Sequence, residues 1–193
     1  MNSGRPNNLG TFGTHVFTDD EAHLMSAKLK QRLGPEFISE RSGPGGAKIS
    51  YLEIGKALDL ANEIFGYNGW SSSVGETVID YVDPDHGKIS LGISCIVRVT
   101  LKDGTFHEDI GYGSIENARS KGMAFEKAKK EAVSDGIKRA LRLFGNSVGN
   151  CLYDKGFIAK IKKMPNPQVR ITLNGPFTLK KLSRALELTK TST

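Results

Sequence analysis

The sequence predicts an α+β domain, a β-β-β-α core in which an antiparallel three-stranded meander packs on one long helix, with further helices N-terminal to it. Three observations carry this reading. At positions 89–101 every second residue is apolar: Ile89, Leu91, Ile93, Cys95, Val97, Val99 and Leu101. That period of two marks a strand with one face on a core. Lys102-Asp103-Gly104 follows at once, and Asp-Gly tolerates the positive φ of a tight hairpin turn. Finally, Phe125, Ala128, Ala132, Val133, Ile137, Ala140, Leu141 and Phe144 form one helical stripe, long enough to cover the apolar face of a small sheet.

The other elements fall into place around these. Thr18-Asp19-Asp20-Glu21 reads as a capping box, with Thr18 and Glu21 each accepting from the other's backbone amide. Leu24, Met25, Leu29 and Leu33 continue at helical spacing until Gly34-Pro35 stops the helix. Gly43-Pro44-Gly45-Gly46 reads as a flexible loop. Ile54, Ala57, Leu58, Ala61, Ile64 and Phe65 give a second helix, closed by Gly66. A first strand is expected over 70–83, a turn at Pro84-Asp85-His86-Gly87, and a third strand over 105–112. The long helix should end at Gly145-Asn146. Beyond Pro165 and Pro167, Phe177, Leu179, Leu182 and Leu186 suggest a short amphipathic helix. The expected division is a disordered arm at 1–17, one domain at 18–163 and a tail at 164–193.

Composition narrows the function classes. The chain has 193 residues, 38% apolar and 25% charged, as in ordinary globular domains, which argues against collagen-like or wholly disordered chains. No run approaches the ~20 apolar residues of a membrane span. The polar N-terminus lacks the apolar stretch of a secretory signal. Cys95 and Cys151 sit among apolar neighbours and read as buried thiols of a reducing compartment. Neither they nor the four histidines have metal-ligand spacing, so no metal or other cofactor is expected. Catalytic motifs are absent too. His107-Glu108-Asp109 lacks a second histidine, and the glycine pairs fit no phosphate loop. Asp80, Asp83 and Asp85 could hold Mg²⁺, but turn aspartates are common.

Charge is the informative signal. The chain carries a net +6 with a pI near 9.3. Positions 114–144 hold eight basic residues (Arg119, Lys121, Lys127, Lys129, Lys130, Lys138, Arg139, Arg142) against four acidic ones, so +4 of that +6 lies in one segment. Lys138 and Arg142, four apart, share one side of the helix with Arg139 beside them. Two readings stand: a solvated face with internal ion pairs, or a track for phosphates whose neutralisation releases counterions. Of the aromatics, Tyr67, Trp70, Tyr81, Phe106, Tyr112 and Tyr153 are expected mainly in the core. Tyr51, beside Arg41 and Lys48, is the candidate for stacking on a base.

Five stretches carry a family resemblance: QRLGPEFIS at 31–39, ANEIFGYNGW at 61–70, EDIGYG at 108–113, KRALR at 138–142 and FGNSVGNC at 144–151. Together they resemble the annealing domain of the Rad-fifty-two recombination family, over about residues 29–160. The resemblance implies single-stranded DNA bound in the basic groove of a large closed homo-oligomeric ring, decamer- or undecamer-like, with annealing of complementary strands and no covalent catalysis. By position it implies an inner groove of Arg41, Tyr51, Lys138, Arg139 and Arg142. An outer DNA site would use Lys88, Arg119 and Lys155, with Lys121 and Lys130 in support, and double-stranded DNA is implied as a weaker partner of the protein. Ala159 stands where the family has an outer-site arginine, with Lys160 next to it. Recombinase and single-strand-binding protein would dock on a polar C-terminal half typical of the family, whereas this chain stops at Thr193. Nuclear localisation is implied, an organelle being the alternative. The strand at 89–101 and the helix at 19–33 are the expected ring contacts. A basic RNA-binding domain without annealing activity is the rival reading.

Overall fold

The computed structural model describes residues 12–165 of the chain. Helix α1 (Asp19–Lys30) is followed by a small hairpin of β1 (Ile38–Ser42) and β2 (Lys48–Leu52), then by α2 (Ile54–Phe65). Strands β3 (Trp70–Asp85), β4 (Lys88–Leu101) and β5 (Phe106–Ala118) form an antiparallel meander with β4 in the centre. The long helix α3 (Lys121–Arg142) lies across β4 and β5, and α4 (Lys155–Ile161) closes the described region. The expected α+β architecture, a three-stranded meander on a long helix with helices before it, is the one observed. The suggested helix at Phe177–Leu186 and most of the arm at 1–17 lie outside the described residues. Residues 12–17 are tied down: the Gly13 and His15 amides both donate to the Lys102 carbonyl, at 3.1 and 2.9 Å.

Local chemistry explains the boundaries. Thr18 caps α1 reciprocally with Glu21, at 3.2 and 2.9 Å, and Glu21 also accepts from Lys102 at 3.0 Å, fixing the helix start to the β4–β5 turn. The helix ends at Lys30, three residues before the expected Leu33; the chain turns extended at Gln31 and delivers Leu33 into the core, 4% exposed. Leu24, assigned to the apolar stripe, is exposed instead. The glycine-rich loop at Gly43–Gly46 joins two strands, β1 and β2, that the sequence did not announce. These five-residue strands, ISERS and KISYL, are too short to show a clear period of two. The first turn of the meander is tighter than expected. His86 and Gly87 take positive φ, as a two-residue hairpin turn requires, so Pro84 and Asp85 remain in β3. Pro84 is tolerated because β3 is an edge strand. Strand β5 runs on to Ala118, six residues past the expected end, through glycines and polar residues that hid its continuation. Helix α3 stops at Arg142, just short of Gly145.

The core has two parts. Beneath the first half of α3, Ile89, Leu91, Ile93, Cys95 and Val97 of β4 meet Ala124, Ala128 and Ala132. At the other end, Val99 and Leu101 join Leu33, Leu52, Phe65, Leu141, Val148, Phe157 and others from the surrounding elements. Ile137 packs against both. What seats α3 is a row of small residues. Ala124, Ala128, Ala132, Gly136 and Ala140 recur every four positions and are all buried. Gly111 and Gly113 of β5 face this row. A methyl at Gly111 would lie 2.6 Å from the Gly136 Cα and collide with the Ala132 carbonyl; one at Gly113 would lie 2.6 Å from the Ala132 amide nitrogen.

Strand register puts Tyr81, Phe106 and Tyr112 on the face of the sheet away from α3, paired with Gly92, Thr100 and Ser94. Tyr67, Tyr81, Phe106, Tyr112 and Tyr153, expected mainly inside, are all exposed, and Trp70 is half-buried with its Nε1 donating to Asn62 at 2.8 Å. Both cysteines are buried, as expected. The central position of β4 removes it as an edge for pairing with another chain: both its edges are taken and its apolar face is under α3. The edge strand β3 has the free apolar surface instead, with Val74, Val78, Ile79 and Val82 exposed.

A stability test follows from this seating. Gly111→Ala should cost about 1–3 kcal/mol or more, because a Cβ there must push two backbones apart. Gly122→Ala, near the exposed start of the same helix with nothing within 4 Å of the added carbon, should be neutral or stabilising by up to ~1 kcal/mol. Chemical denaturation of the two variants beside the parent chain measures both. Equal effects would mean the close contact is not what holds α3.

Candidate nucleic-acid interface

The C-terminal half of α3 carries Lys138, Arg139 and Arg142 past the sheet to the small hairpin, which contributes Arg41 and Tyr51. Between them opens a cleft of about 270 Å³, walled as well by Asp135, Leu152 and Tyr153. All five residues implied for the inner groove line this one cleft. Tyr51 is half-buried, so its ring is fixed rather than free, with the Arg41 guanidinium 5.7 Å and the Lys138 ammonium 5.9 Å from its centroid. These lie at the outer limit of cation–π contact. The Arg142 guanidinium stands closer to Tyr153, 4.3 Å from the ring. Tyr153 is 62% exposed, an open aromatic surface at the mouth of a basic cleft.

Asp109 lies beneath the two arginines. It occupies the helix-facing side of β5, two residues before Gly111, and is paired with Val97. Its Oδ1 is 3.1 Å from Arg139 Nε and Nη2, and its Oδ2 is 3.2 Å from Arg142 Nη2. The Ile110 amide donates to the same carboxylate at 2.8 Å. Burial pushes the Asp109 carboxyl up, but the Ile110 amide and the two guanidiniums outweigh it and hold the group below the usual carboxylate range. For Arg139, burial works against the charge, and Asp109 reverses this and raises its pKa. Arg142 is only 21% exposed at its side chain, so it is a wall of the cleft and not a free surface residue. Its Nε, and Ser50 Oγ in the opposite wall, are buried without a hydrogen-bond partner among the described residues.

The outer residues are not brought together within one chain. Lys88 opens β4 and Arg119 follows β5, and the register Ile89↔Ala118 sets them side by side, both exposed. Lys121 lies two residues beyond Arg119, at the start of α3 with its ammonium 6.0 Å from the Phe125 ring, and Lys130 is exposed midway along the helix. Lys155 begins α4, which packs on the far end of the core through Phe157 and Ile161. Strand β4 separates those ends by roughly 40 Å at ~3.3 Å per residue. A site using Lys88, Arg119 and Lys155 together therefore needs neighbouring copies of the chain. Ala159 and Lys160 are both exposed on α4. The aspartates at the β3–β4 turn form no metal-binding group of three or more among the described residues, and Asp80 accepts from Ser94 at 2.9 Å.

Sequence reasoning missed Asp109 and misplaced Tyr153. A signal for Asp109 was present: it falls in the same alternating register as Gly111 and Gly113, which puts an acid on the side of the strand that faces the helix. For Tyr153, nothing in the local pattern announces that its ring leaves the core.

The profile of the Rad52/22 family of double-strand break repair proteins matches residues 21–171. The DNA repair and recombination protein rti1 of Schizosaccharomyces pombe is 54% identical over 178 residues, 92% of this chain and 48% of that protein. The protein rad22 of the same yeast is 55% identical over 160 residues, 82% of this chain and 34% of its own length. RAD52 of Saccharomyces cerevisiae is 55% identical over 153 residues, 79% of this chain and 31% of its own. The chain thus spans between about a third and a half of these relatives.

The Asp109 clasp has a consequence for stability. A carboxyl with a lowered folded-state pKa stabilises fully above its unfolded value of about 3.9, and this contribution is lost as pH falls through the folded value. Asp109→Asn should therefore be less stable than the parent at pH 6, with the gap closing on acidification toward pH 2.5. Urea midpoints across that range test it, and a gap independent of pH would contradict it.

Proposed function

This chain belongs to the Rad52/22 family of double-strand break repair proteins, and on that premise we propose that it binds single-stranded DNA in the cleft between the small hairpin and the end of α3 and anneals complementary strands. The observation that carries this is the convergence of four cations and Tyr51 on one cleft, from elements separated by some ninety residues of sequence. Arg41, Lys138, Arg139 and Arg142 take phosphates, and Tyr51 offers a ring face to a base or sugar. Recognition through the backbone carries no base code, so complementarity comes from Watson–Crick pairing.

Annealing then needs no bond-making by the protein. Two complementary strands repel each other as polyanions, and each folds on itself. Phosphate neutralisation lowers the first barrier, and an extended bound strand lowers the second. Holding strands on one scaffold raises their effective concentration. The working form is a large closed homo-oligomeric ring, which requires a heterologous contact that closes. The exposed apolar residues of edge strand β3 support such a contact, and a neighbouring copy is what would unite Lys88 and Arg119 with Lys155 in the outer DNA site. The location proposed for a chain acting in recombination is the nucleus, an organelle being the alternative. A recombinase and a single-strand-binding protein are the partners proposed for the full-length family members.

The test is a strand-annealing assay on the purified chain beside its native mass and its affinity for DNA and RNA. Accelerated annealing by a large oligomer is expected. A monomer that binds RNA and DNA equally and leaves annealing at its spontaneous rate would favour the RNA-binding reading. Binding should also weaken steeply with salt, by roughly 0.7 in the log–log slope per phosphate neutralised. Tyr51→Ala should lose about 1–3 kcal/mol of binding and Tyr51→Phe much less, because the ring face survives. Ile137→Ala, between the two core clusters, should instead lose roughly 2 kcal/mol or more of folding stability.

A further inference from the structure

We propose that Asp109 is a positioning residue for single-strand binding: it clasps Arg139 and Arg142 and so fixes the direction of the donors they have left for phosphates. The inference rests on the cleft being the single-strand site. Charge alone would argue the other way. A carboxylate beneath a phosphate track repels the phosphates, so a groove tuned only for positive potential would omit it.

The geometry accounts for its presence. Arg139 and Arg142 are three residues apart on one helix, and their guanidiniums meet the two different oxygens of the same carboxylate at 3.1 and 3.2 Å. The carboxylate is itself fixed, 17% exposed at its side chain and held by the Ile110 amide at 2.8 Å. It sits on the strand against which α3 is seated most closely, through Gly111, Gly113 and Gly136, so neither partner can drift. Tyr153 covers Arg142 at 4.3 Å, leaving that guanidinium held between Asp109 and a ring. Each arginine spends only part of its five donors on Asp109. The remaining N–H groups keep a defined direction. Without the carboxylate, two like charges on adjacent turns would repel, and each long side chain would have to be ordered afresh on binding DNA.

The two effects have opposite signs, and Asp109→Asn separates them. The substitution adds one positive charge to the cleft. If Asp109 acts only as a charge, single-strand affinity rises. If it positions the arginines, affinity falls, by roughly tenfold, since the asparagine amide presents a donor to one guanidinium. The measurement is fluorescence anisotropy with a short labelled oligothymidylate, in the parent chain and in an Arg139→Ala/Arg142→Ala background. Expected is a loss with Asp109→Asn in the parent and no loss, or a slight gain, once the arginines are gone. Equal or tighter binding by Asp109→Asn in the parent overturns the proposal. So does an equal loss in both backgrounds, which would mean that Asp109 only maintains the fold. Circular dichroism and native mass check each variant. Should Asp109→Asn not fold, Asp109→Glu takes its place in the same cycle. It keeps the charge but displaces the carboxylate by one methylene, so unchanged affinity overturns the proposal and a loss confined to the parent background supports it. Absence of single-strand binding by the parent chain would remove the cleft's reading itself, whereas binding that is indifferent to Asp109 removes this inference alone.

Discussion

The closeness with which α3 lies on β5 is the constraint from which the rest of this structure follows. Ala124, Ala128, Ala132, Gly136 and Ala140 give the helix a face with almost no side chains, and Gly111 and Gly113 give the strand a matching bare patch. Helix and strand backbones then meet directly. A helix spaced by larger side chains would sit farther from the sheet, and an acid on β5 could not reach arginines on the helix. Interiors packed this tightly resist deformation, so the separation of the two elements is rigid.

That rigidity is inherited by the cleft. The same helix that buries alanines against the sheet presents Lys138, Arg139 and Arg142 beyond it, and the hairpin brings Arg41 and Tyr51 to face them. Four cations in one small cleft would repel one another, and two carboxylates, Asp109 below and Asp135 in the wall, temper this without cancelling it. Two aromatic rings stand among these charges. Tyr51 stands near two cations and Tyr153 against a third, giving a basic surface with ring faces among its charges. Such a combination suits extended single strands, whose bases are unstacked and whose phosphates are evenly spaced.

At the other edge of the sheet the situation is reversed. Helix α3 covers β4 and β5 but makes little contact with β3, and this sixteen-residue edge strand exposes Val74, Val78, Ile79 and Val82. A long apolar edge is a surface that proteins either protect or use for pairing. The basic residues also divide between two ends of a strand roughly 40 Å long. Both features are what the proposed assembly of several copies would complete.

Much of this was legible in the sequence, for identifiable reasons. The alternation from Ile89 to Leu101, the Asp-Gly turn and the α3 stripe are local patterns, and each reflects one face of one element meeting a core, so the meander and its covering helix could be read directly. The basic row on α3 was legible for the same reason, since a helix with one face committed must present its charges elsewhere. The family motifs supplied the remaining groove residues. What local pattern could not supply was anything settled by two elements meeting. The hairpin of Ile38–Ser42 and Lys48–Leu52 is held by pairing between strands too short to show a period. Gly111 and Gly113, weighed in the sequence only as a phosphate loop that did not fit, are the place where the helix touches β5. The rings of Tyr81, Phe106 and Tyr112 looked like core until strand register set them on the face of the sheet that α3 does not cover. Asp109 became part of the cleft only when β5 and α3 were set against each other, because an ion pair across thirty residues is a property of their distance in space and not of either segment alone.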